Sequence, residues 1–194
     1  MIPTTKIVTQ SGIMTSDTYA EEFSKRRIYL TGQIDDQMAS DICAQINHLA
    51  SQNDDEIYLI IQSPGGSVSA GLSILDTMNT CRCDICTVVM GEAASMGALL
   101  ASSGTKGKRM IGKNAEMMIH QPLGGASGQA SDIERTAAHI VKTKKKLHKI
   151  LAQNTGQSFK QVCTDCDRDH WLDAEEAIEY GLVDQIFSGY NSQF

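Results

Sequence analysis

The chain has 194 residues, of which 41% are hydrophobic and 21% charged, and its formal net charge is -6. One domain of this length can bury a substantial core, and the acidic balance argues against an electrostatic nucleic-acid surface. No apolar run reaches the roughly 20 residues that a bilayer crossing needs, and Met1-Ile2-Pro3-Thr4-Thr5-Lys6 lacks the regions of a signal peptide, so a cytoplasmic chain without membrane contact is expected.

In chain order, residues 36–52 place Ala39, Ile42, Cys43, Ile46 and Leu49 on one helical stripe. Ile57-Tyr58-Leu59-Ile60-Ile61 is a continuous apolar run of strand length, the pattern of a strand covered on both faces. Ser63-Pro64-Gly65-Gly66-Ser67 breaks it and opens a helix from about Val68 to Asn79. The cycle repeats with a strand Ile85–Met90, a small-residue turn around Ser95, and a helix Met96–Ser102. Short strands are expected near Lys108–Ile111 and Met117–His120. The longest helix runs from about Ser131 to Gln153, with Ile133, Ala137, Ile140, Val141, Leu147, Ile150 and Leu151 as its apolar positions. The basic run Lys142-Thr143-Lys144-Lys145-Lys146 falls within it and reads as a solvated face. Gly156 stops this helix, and Ser158 caps a short one reaching Cys163. Asp173 is an N-cap with Glu176 three residues on, and Gly181 sits at the matching C-terminal end. Recurring strand-turn-helix units predict an α/β fold with parallel strands, in one domain.

The six cysteines are Cys43, Cys81, Cys83, Cys86, Cys163 and Cys166. A reducing cytosol disfavours disulfides. The spacing Cys81-x-Cys83-x2-Cys86 with Cys163-x2-Cys166 would suit zinc. However, the first cluster runs from a helix straight into a strand, with no Gly-rich knuckle to wrap a metal. Buried or half-buried free thiols, and no metal site, are therefore expected.

The chemistry centres on Gly91-Glu92-Ala93-Ala94-Ser95-Met96-Gly97 and Met118-Ile119-His120-Gln121-Pro122-Leu123-Gly124-Gly125. A serine hydroxyl is a poor nucleophile until an imidazole takes its proton. His120 follows Ser95 at the end of a predicted strand. Small neighbours let the backbone turn and let a substrate carbonyl approach. Gly65 and Gly66 leave N–H groups uncovered, and the N–H of Met96 follows the nucleophile, so two turns can bind one oxyanion. No Walker lysine or GxGxxG signature accompanies the glycines, which excludes the common nucleotide-binding modes. The acid that orients His120 stays open on spacing alone: Asp76, Asp84, Asp132, Asp165, Asp167, Asp169 and Asp173 are all candidates. His139 and His148 on the long helix, with His48 and His170 near element ends, read as packing or surface residues.

The chain resembles the proteolytic subunit of the Clp protease. The resemblance rests on Ile2-Pro3-Thr4, Gly32-Gln33-Ile34-Asp35-Asp36, Ser63-Pro64-Gly65-Gly66-Ser67-Val68, Ala93-Ala94-Ser95-Met96-Gly97, His120-Gln121-Pro122-Leu123-Gly124-Gly125, Gly128-Gln129-Ala130, Asp167-Arg168-Asp169 and Glu179-Tyr180-Gly181-Leu182-Val183-Asp184, in order over nearly the whole length. It implies a crotonase-like α/β fold with a long protruding helix and a serine endopeptidase without cofactor. The assembly it implies is two stacked seven-membered rings, homomeric or mixed with a paralogue, fed unfolded polypeptide by a AAA+ ATPase that spends the ATP. By position, Ser95 is the implied nucleophile, His120 the base and Asp169 the orienting acid, with Gly66 and Met96 as oxyanion donors. Gln121, Pro122, Leu123, Gly124 and Gly125 match the substrate-binding strand. Asp167, Arg168 and Gln129 match ring-contact positions within a strand-and-helix region at about 121–153, and residues of about 1–20 match an axial segment. Tyr58 and Ile60 fall where the ATPase docks, although the family often has an aromatic residue in place of Ile60. Residues 11–25 and the cysteine clusters depart from the family pattern. Two rivals remain at this stage: an acyl-CoA hydratase of the same fold, which needs no Ser-His pair, and a ring paralogue whose site is vestigial.

Overall fold

The apolar run that begins at Ile57 becomes a strand in the middle of a parallel sheet, the setting in which hydrophobicity on both faces is stable. The structure, a computed structural model, describes residues 4–9 and 12–190. Ile2 and Pro3 of the N-terminal motif, together with Met1 and Ser11, lie outside the described residues.

The first half comprises β1 (Thr4–Thr9), β2 (Gly12–Asp17), α1 (Thr18–Ser24), β3 (Arg27–Thr31), α2 (Asp36–Gln52), β4 (Ile57–Ser63), α3 (Val68–Thr80), β5 (Ile85–Ala94) and α4 (Met96–Ser102). The second half comprises β6 (Arg109–Ile111), β7 (Glu116–Ile119), α5 (Ala130–Thr155), α6 (Phe159–Asp165), β8 (His170–Leu172), α7 (Ala174–Tyr180) and β9 (Gln185–Ile186). Strands β3, β4, β5, β6 and β9 are neighbours in that order, all parallel. With 10 residues, β5 is long enough to pair β6 through Thr87–Val89 and β7 through Glu92–Ala94. Among the described residues, β8 alone runs antiparallel in this sheet, against β7. β1 and β2 form a separate antiparallel hairpin.

The helices start where their caps predict. Asp35 accepts the N–H of Met38, Ser67 that of Ala70, and Asp173 forms the full capping box with Glu176. The stripe Ala39, Ile42, Ile46 and Leu49 of α2 is buried in the core beside Ile28, Leu30 and Leu59. By contrast, the stripe on α5 is buried only near its C-terminal end, at Leu147 and Leu151, whereas Ile133 and Val141 are exposed. Residues 130–139 of this 26-residue helix are all exposed.

Three expectations are revised. Gly91–Ala94, read as part of a turn, belong to β5, because pairing with Glu116–Met118 overrides their weak strand propensity. Lys144 does not belong to a solvated face; it shares a side of α5 with Leu147, His148 and Leu151, and its Nζ donates to Gln121 Oε1 at 2.7 Å. The segment 121–125 is in no strand: past Gln121, whose N–H donates to Cys166 O at 2.7 Å, it has no ladder partner among the described residues. No helix among the described residues is long and apolar enough to cross a membrane.

The buried Arg109 clasps the late elements together. Its guanidinium donates to Asp184 Oδ2 at 2.9 Å, and also to the carbonyls of Ser102 and Asn154 at 3.1 and 2.9 Å. Asp184 additionally accepts the N–H of Gly107 at 2.7 Å. Burial alone would raise the Asp184 carboxyl pKa, but the Arg109 guanidinium and these N–H donors outweigh it and hold it below the usual carboxylate range.

Candidate active site

Three strand ends converge on one point. In the parallel ladder of β5 and β7 the last pair is Ala94 with Met118, and the N–H of Ser95 continues it by donating to Met118 O at 2.8 Å. In the antiparallel ladder of β7 and β8 the last pair is Ile119 with His170. His120 and Asp169 are therefore opposite each other one step further on, at the distance of a cross-strand pair. The three side chains that result form a chain: Ser95 Oγ lies 2.9 Å from His120 Nε2, and His120 Nδ1 lies 3.0 Å from Asp169 Oδ1.

Ser95 is held at φ 55 and ψ -118, a backbone conformation that a non-glycine residue rarely adopts. It sits where β5 ends and α4 begins, so the hydroxyl is presented on a sharp elbow instead of capping the helix; it makes no side-chain cap bond. The imidazole is largely enclosed, with 13% of the side chain exposed, while the Asp169 side chain is 64% exposed in the single chain. Of the seven aspartates compatible with spacing, only Asp169 touches His120 among the described residues.

The glycine turn lies against this elbow. Ile34 N–H donates to Gly65 O and Ser67 N–H to Ile34 O, both at 2.8 Å, so the peptides on either side of Gly66 are fixed. The N–H of Gly66 and that of Met96 have no acceptor among the described residues. The expectation that Gly65 also offers a free N–H is corrected: it donates to Ser63 Oγ at 3.0 Å, because that hydroxyl is fixed by donating in turn to Gly32 O at 2.7 Å. Gly65 itself, at φ +91, must lack a side chain, since a Cβ would lie 2.7 Å from Ser95 Cβ and 2.8 Å from Ala94 O. A narrow apolar cleft beside Ser95 is lined by Val68, Leu99, Ile119 and Leu147. Such a site can attack a carbonyl carbon, hold the resulting oxyanion and pass a proton through an imidazole.

The remaining positions fall as follows. Gln121 is bracketed from three sides: its N–H goes to Cys166 O, its Nε2 donates to Asp167 O at 2.8 Å, and Lys144 donates to its Oε1. These bonds tie the residue after His120 to the loop that carries Asp169. Sequence reasoning missed Lys144, although its helical spacing from Leu147, His148 and Leu151 carried the signal. Pro122 and Leu123 border a trough of about 880 Å³ with Leu72 and Ile140 in its wall and Lys142, Lys145 and Lys149 among its lining, and Leu123 is 86% exposed. Gly124 and Gly125 continue along the exposed segment. Asp167 and Arg168 are exposed, and neither forms an ion pair among the described residues. Gln129 is the N-cap residue of α5, without a side-chain cap bond. Ile60 is only 5% exposed, and Tyr58 packs edge-on against Tyr190 at 5.4 Å. Cys83, Cys86 and Cys166 are buried and Cys43, Cys81 and Cys163 half-buried, all as free thiols. No three His, Cys, Asp or Glu side chains among the described residues are grouped to hold a metal ion.

Comparison with known proteins places nearly the whole chain in one family. The family model described as Clp protease matches residues 10–189. The chain is 50% identical over 189 residues to proteins named ATP-dependent Clp protease proteolytic subunit from Streptococcus pyogenes serotype M5 (strain Manfredo), serotype M49 (strain NZ131) and serotype M1. In each case the match covers 96% of this chain and 96% of the relative.

Proposed function

The chain belongs to the Clp protease family, and from that premise we propose that it is a serine endopeptidase that works through Ser95, His120 and Asp169 on the crotonase-like fold of the family. The observation that carries the reading is the unbroken hydrogen-bonded chain from Ser95 Oγ through His120 to Asp169, at 2.9 and 3.0 Å.

In the reaction, Ser95 Oγ attacks the peptide carbonyl as His120 Nε2 takes its proton. Asp169 accepts a hydrogen bond from Nδ1–H and stabilises the imidazolium that forms. The N–H groups of Gly66 and Met96 receive the oxyanion of the tetrahedral intermediate. His120 then returns the proton to the leaving amine, and water repeats the sequence on the acyl-enzyme. The open segment from Gln121 to Gly125 adds the substrate backbone as a neighbouring strand, a mode that tolerates many sequences. No step requires a cofactor. The triad also disfavours an acyl-CoA hydratase, which would use the oxyanion turns without a serine nucleophile.

The same reading takes in the assembly. Two stacked heptameric rings of this chain, or of this chain with a paralogue, enclose the sites. Asp167, Arg168, Gln129 and α5 serve the contact between rings, and an exposed leading half of α5 is what such a contact would cover. A AAA+ unfoldase docks near Tyr58 and Ile60, spends ATP and delivers unfolded polypeptide in the cytoplasm. The test is covalent labelling with a fluorophosphonate. Wild type should label once per chain, and Ser95→Ala should lose both labelling and peptide hydrolysis while keeping its assembly. Labelling that persisted at Ser103 in the variant would sink the assignment.

A further inference from the structure

The pair Cys163-x2-Cys166 takes no part in the hydrolysis, yet its second cysteine lies only three residues before Asp169. Both cysteines belong to the last turn of α6, where Cys166 is the C-cap residue and donates its N–H to Val162 O at 2.9 Å. Residues three apart in a helical turn share a face. Cys163 is half-buried and Cys166 fully buried. An imidazole addresses the first sulfur: His148 Nδ1 on α5 lies 3.3 Å from Cys163 Sγ. The other ring nitrogen, Nε2, is buried and has no partner among the described residues.

That orphan nitrogen decides the tautomer. A proton on Nε2 would be a buried donor with nothing to bond, whereas a bare lone pair there costs less. With the proton on Nδ1, the imidazole donates to the Cys163 sulfur and holds it facing α5. Burial, reinforced by the charge of Lys144, lowers the His148 pKa and keeps the ring neutral. Burial, with Asp165 and Cys163 adding to it, pushes the Cys166 thiol up to about 12.

We propose that Cys163 and Cys166 form an oxidisable dithiol whose closure to a disulfide switches off the adjacent peptidase site. The inference rests on the proposed role of Ser95, His120 and Asp169. The oxidant is a hydroperoxide. The Cys163 sulfur gives up its proton as it attacks the terminal oxygen, so an S–O bond forms, the O–O bond breaks, and the alkoxide leaves as alcohol with that proton. Cys166 sulfur then attacks the sulfenic sulfur; the S–S bond forms, the S–O bond breaks, and hydroxide leaves as water with the Cys166 proton. Two thiols and one hydroperoxide thus give one disulfide, one alcohol and one water.

Closure must move the backbone. Helical neighbours three apart keep their Cβ atoms roughly 5–6 Å apart, and a disulfide needs about 3.5–4.5 Å, so the last turn of α6 contracts by roughly 1 Å. That turn supplies Cys166 O to the N–H of Gln121, and the next residue supplies Asp167 O to the Gln121 side chain. Pulling it draws the Asp169 loop and the residue after His120 out of register, and a displacement of about 1 Å at a catalytic group can cost roughly 10²-fold in rate.

The experiment treats assembled protein with hydrogen peroxide and follows three readouts: peptide hydrolysis, fluorophosphonate labelling, and mass spectrometry of the peptide spanning Cys163 and Cys166. Oxidised wild type should lose two hydrogens in that peptide and at least tenfold in turnover, with recovery in dithiothreitol. Cys163→Ser, which retains the other cysteines, should keep its activity under peroxide, and Cys163→Ala should behave alike. Equal loss in the Cys163 variants, or a quantitative disulfide with turnover unchanged, would overturn the proposal, as would peroxide-treated protein in which this pair stays reduced. Failure of the reduced enzyme to label at Ser95 would instead count against the peptidase reading, since the disulfide mapping does not depend on it.

Discussion

Adding one methyl group at Gly65 tests whether the two turns form one catalytic unit. In Gly65→Ala the new Cβ would lie 2.7 Å from Ser95 Cβ, 2.8 Å from Ala94 O and 3.1 Å from Met96 N. Carbon atoms rest at about 3.5–4.0 Å, so the turns must part by about 0.8 Å. The atoms displaced are the nucleophile's own carbon and the amide read as an oxyanion donor. Because roughly 1 Å of misplacement can cost about 10²-fold, turnover should fall by about 10- to 100-fold. The variant also pays about 1–3 kcal/mol for an alanine at φ +91. Gly107→Ala supplies the control: its φ is +86 but its Cβ meets nothing within 4 Å, so it carries a similar backbone cost without the clash. The assay is kcat for a fluorogenic peptide, normalised to folded, assembled protein. Gly107→Ala should stay within about threefold of wild type, a span worth less than 1 kcal/mol in the barrier. Equal kcat for the two variants would refute the argument that close approach of the turns sets the site.

Two further outcomes follow from the hydrogen bonds. Asp169→Asn should lower turnover by roughly 10²- to 10⁴-fold by favouring the wrong imidazole tautomer, whereas Asp167→Asn, whose contribution near the site is a backbone carbonyl to Gln121, should change it little; comparable losses in both would exchange or dissolve the roles. Asp184→Asn should destabilise the fold by about 2–4 kcal/mol at neutral pH, because it strands the buried Arg109 charge. Since the Asp184 pKa is depressed in the folded chain, its contribution is fully present above the ordinary aspartate value of about 3.9 and is lost as pH falls through the lower folded value. The gap between wild type and variant in urea unfolding should therefore narrow in strong acid, and a gap independent of pH would contradict the clasp.

What the sequence revealed depended on how locally each feature is encoded. Buried parallel strands such as β4, and helices with caps at Asp35, Ser67 and Asp173, were readable because pattern and cap lie within a few residues of each other. The hairpin of β1 and β2, helix α1 and strand β3 were not anticipated; nor were β8 and β9, which have three and two residues and are too short to show a period. Ser95 and His120 stood out from their neighbours, but Asp169 could not be selected from seven aspartates by spacing. Its position is set by pairing between β7 and β8, which no local pattern records. The apolar positions of α5 show the converse: Ile133 and Val141 follow the same helical pattern as Leu147 and Leu151, yet they are exposed.

His120 and Asp169 stand 49 residues apart in sequence, and nothing in the geometry depends on that number. The intervening chain leaves the sheet after Gln121, forms α5 and α6, and returns only to rejoin the ladder. Its exposed leading part, residues 130–139, can be lengthened or shortened while the two side chains still face each other, provided that Lys144, Cys166 and Asp167 keep their bonds to Gln121. Strand β8 has no such freedom. One residue inserted among His170–Leu172 would shift Asp169 by about 3.3 Å and turn its carboxylate to the opposite face. Two residues would restore the face but carry the group about 7 Å along the strand, out of reach. The site thus tolerates changes of length far from it and is strict about register beside it, so variation accepted in the exposed half of α5 should be lethal to catalysis in β8.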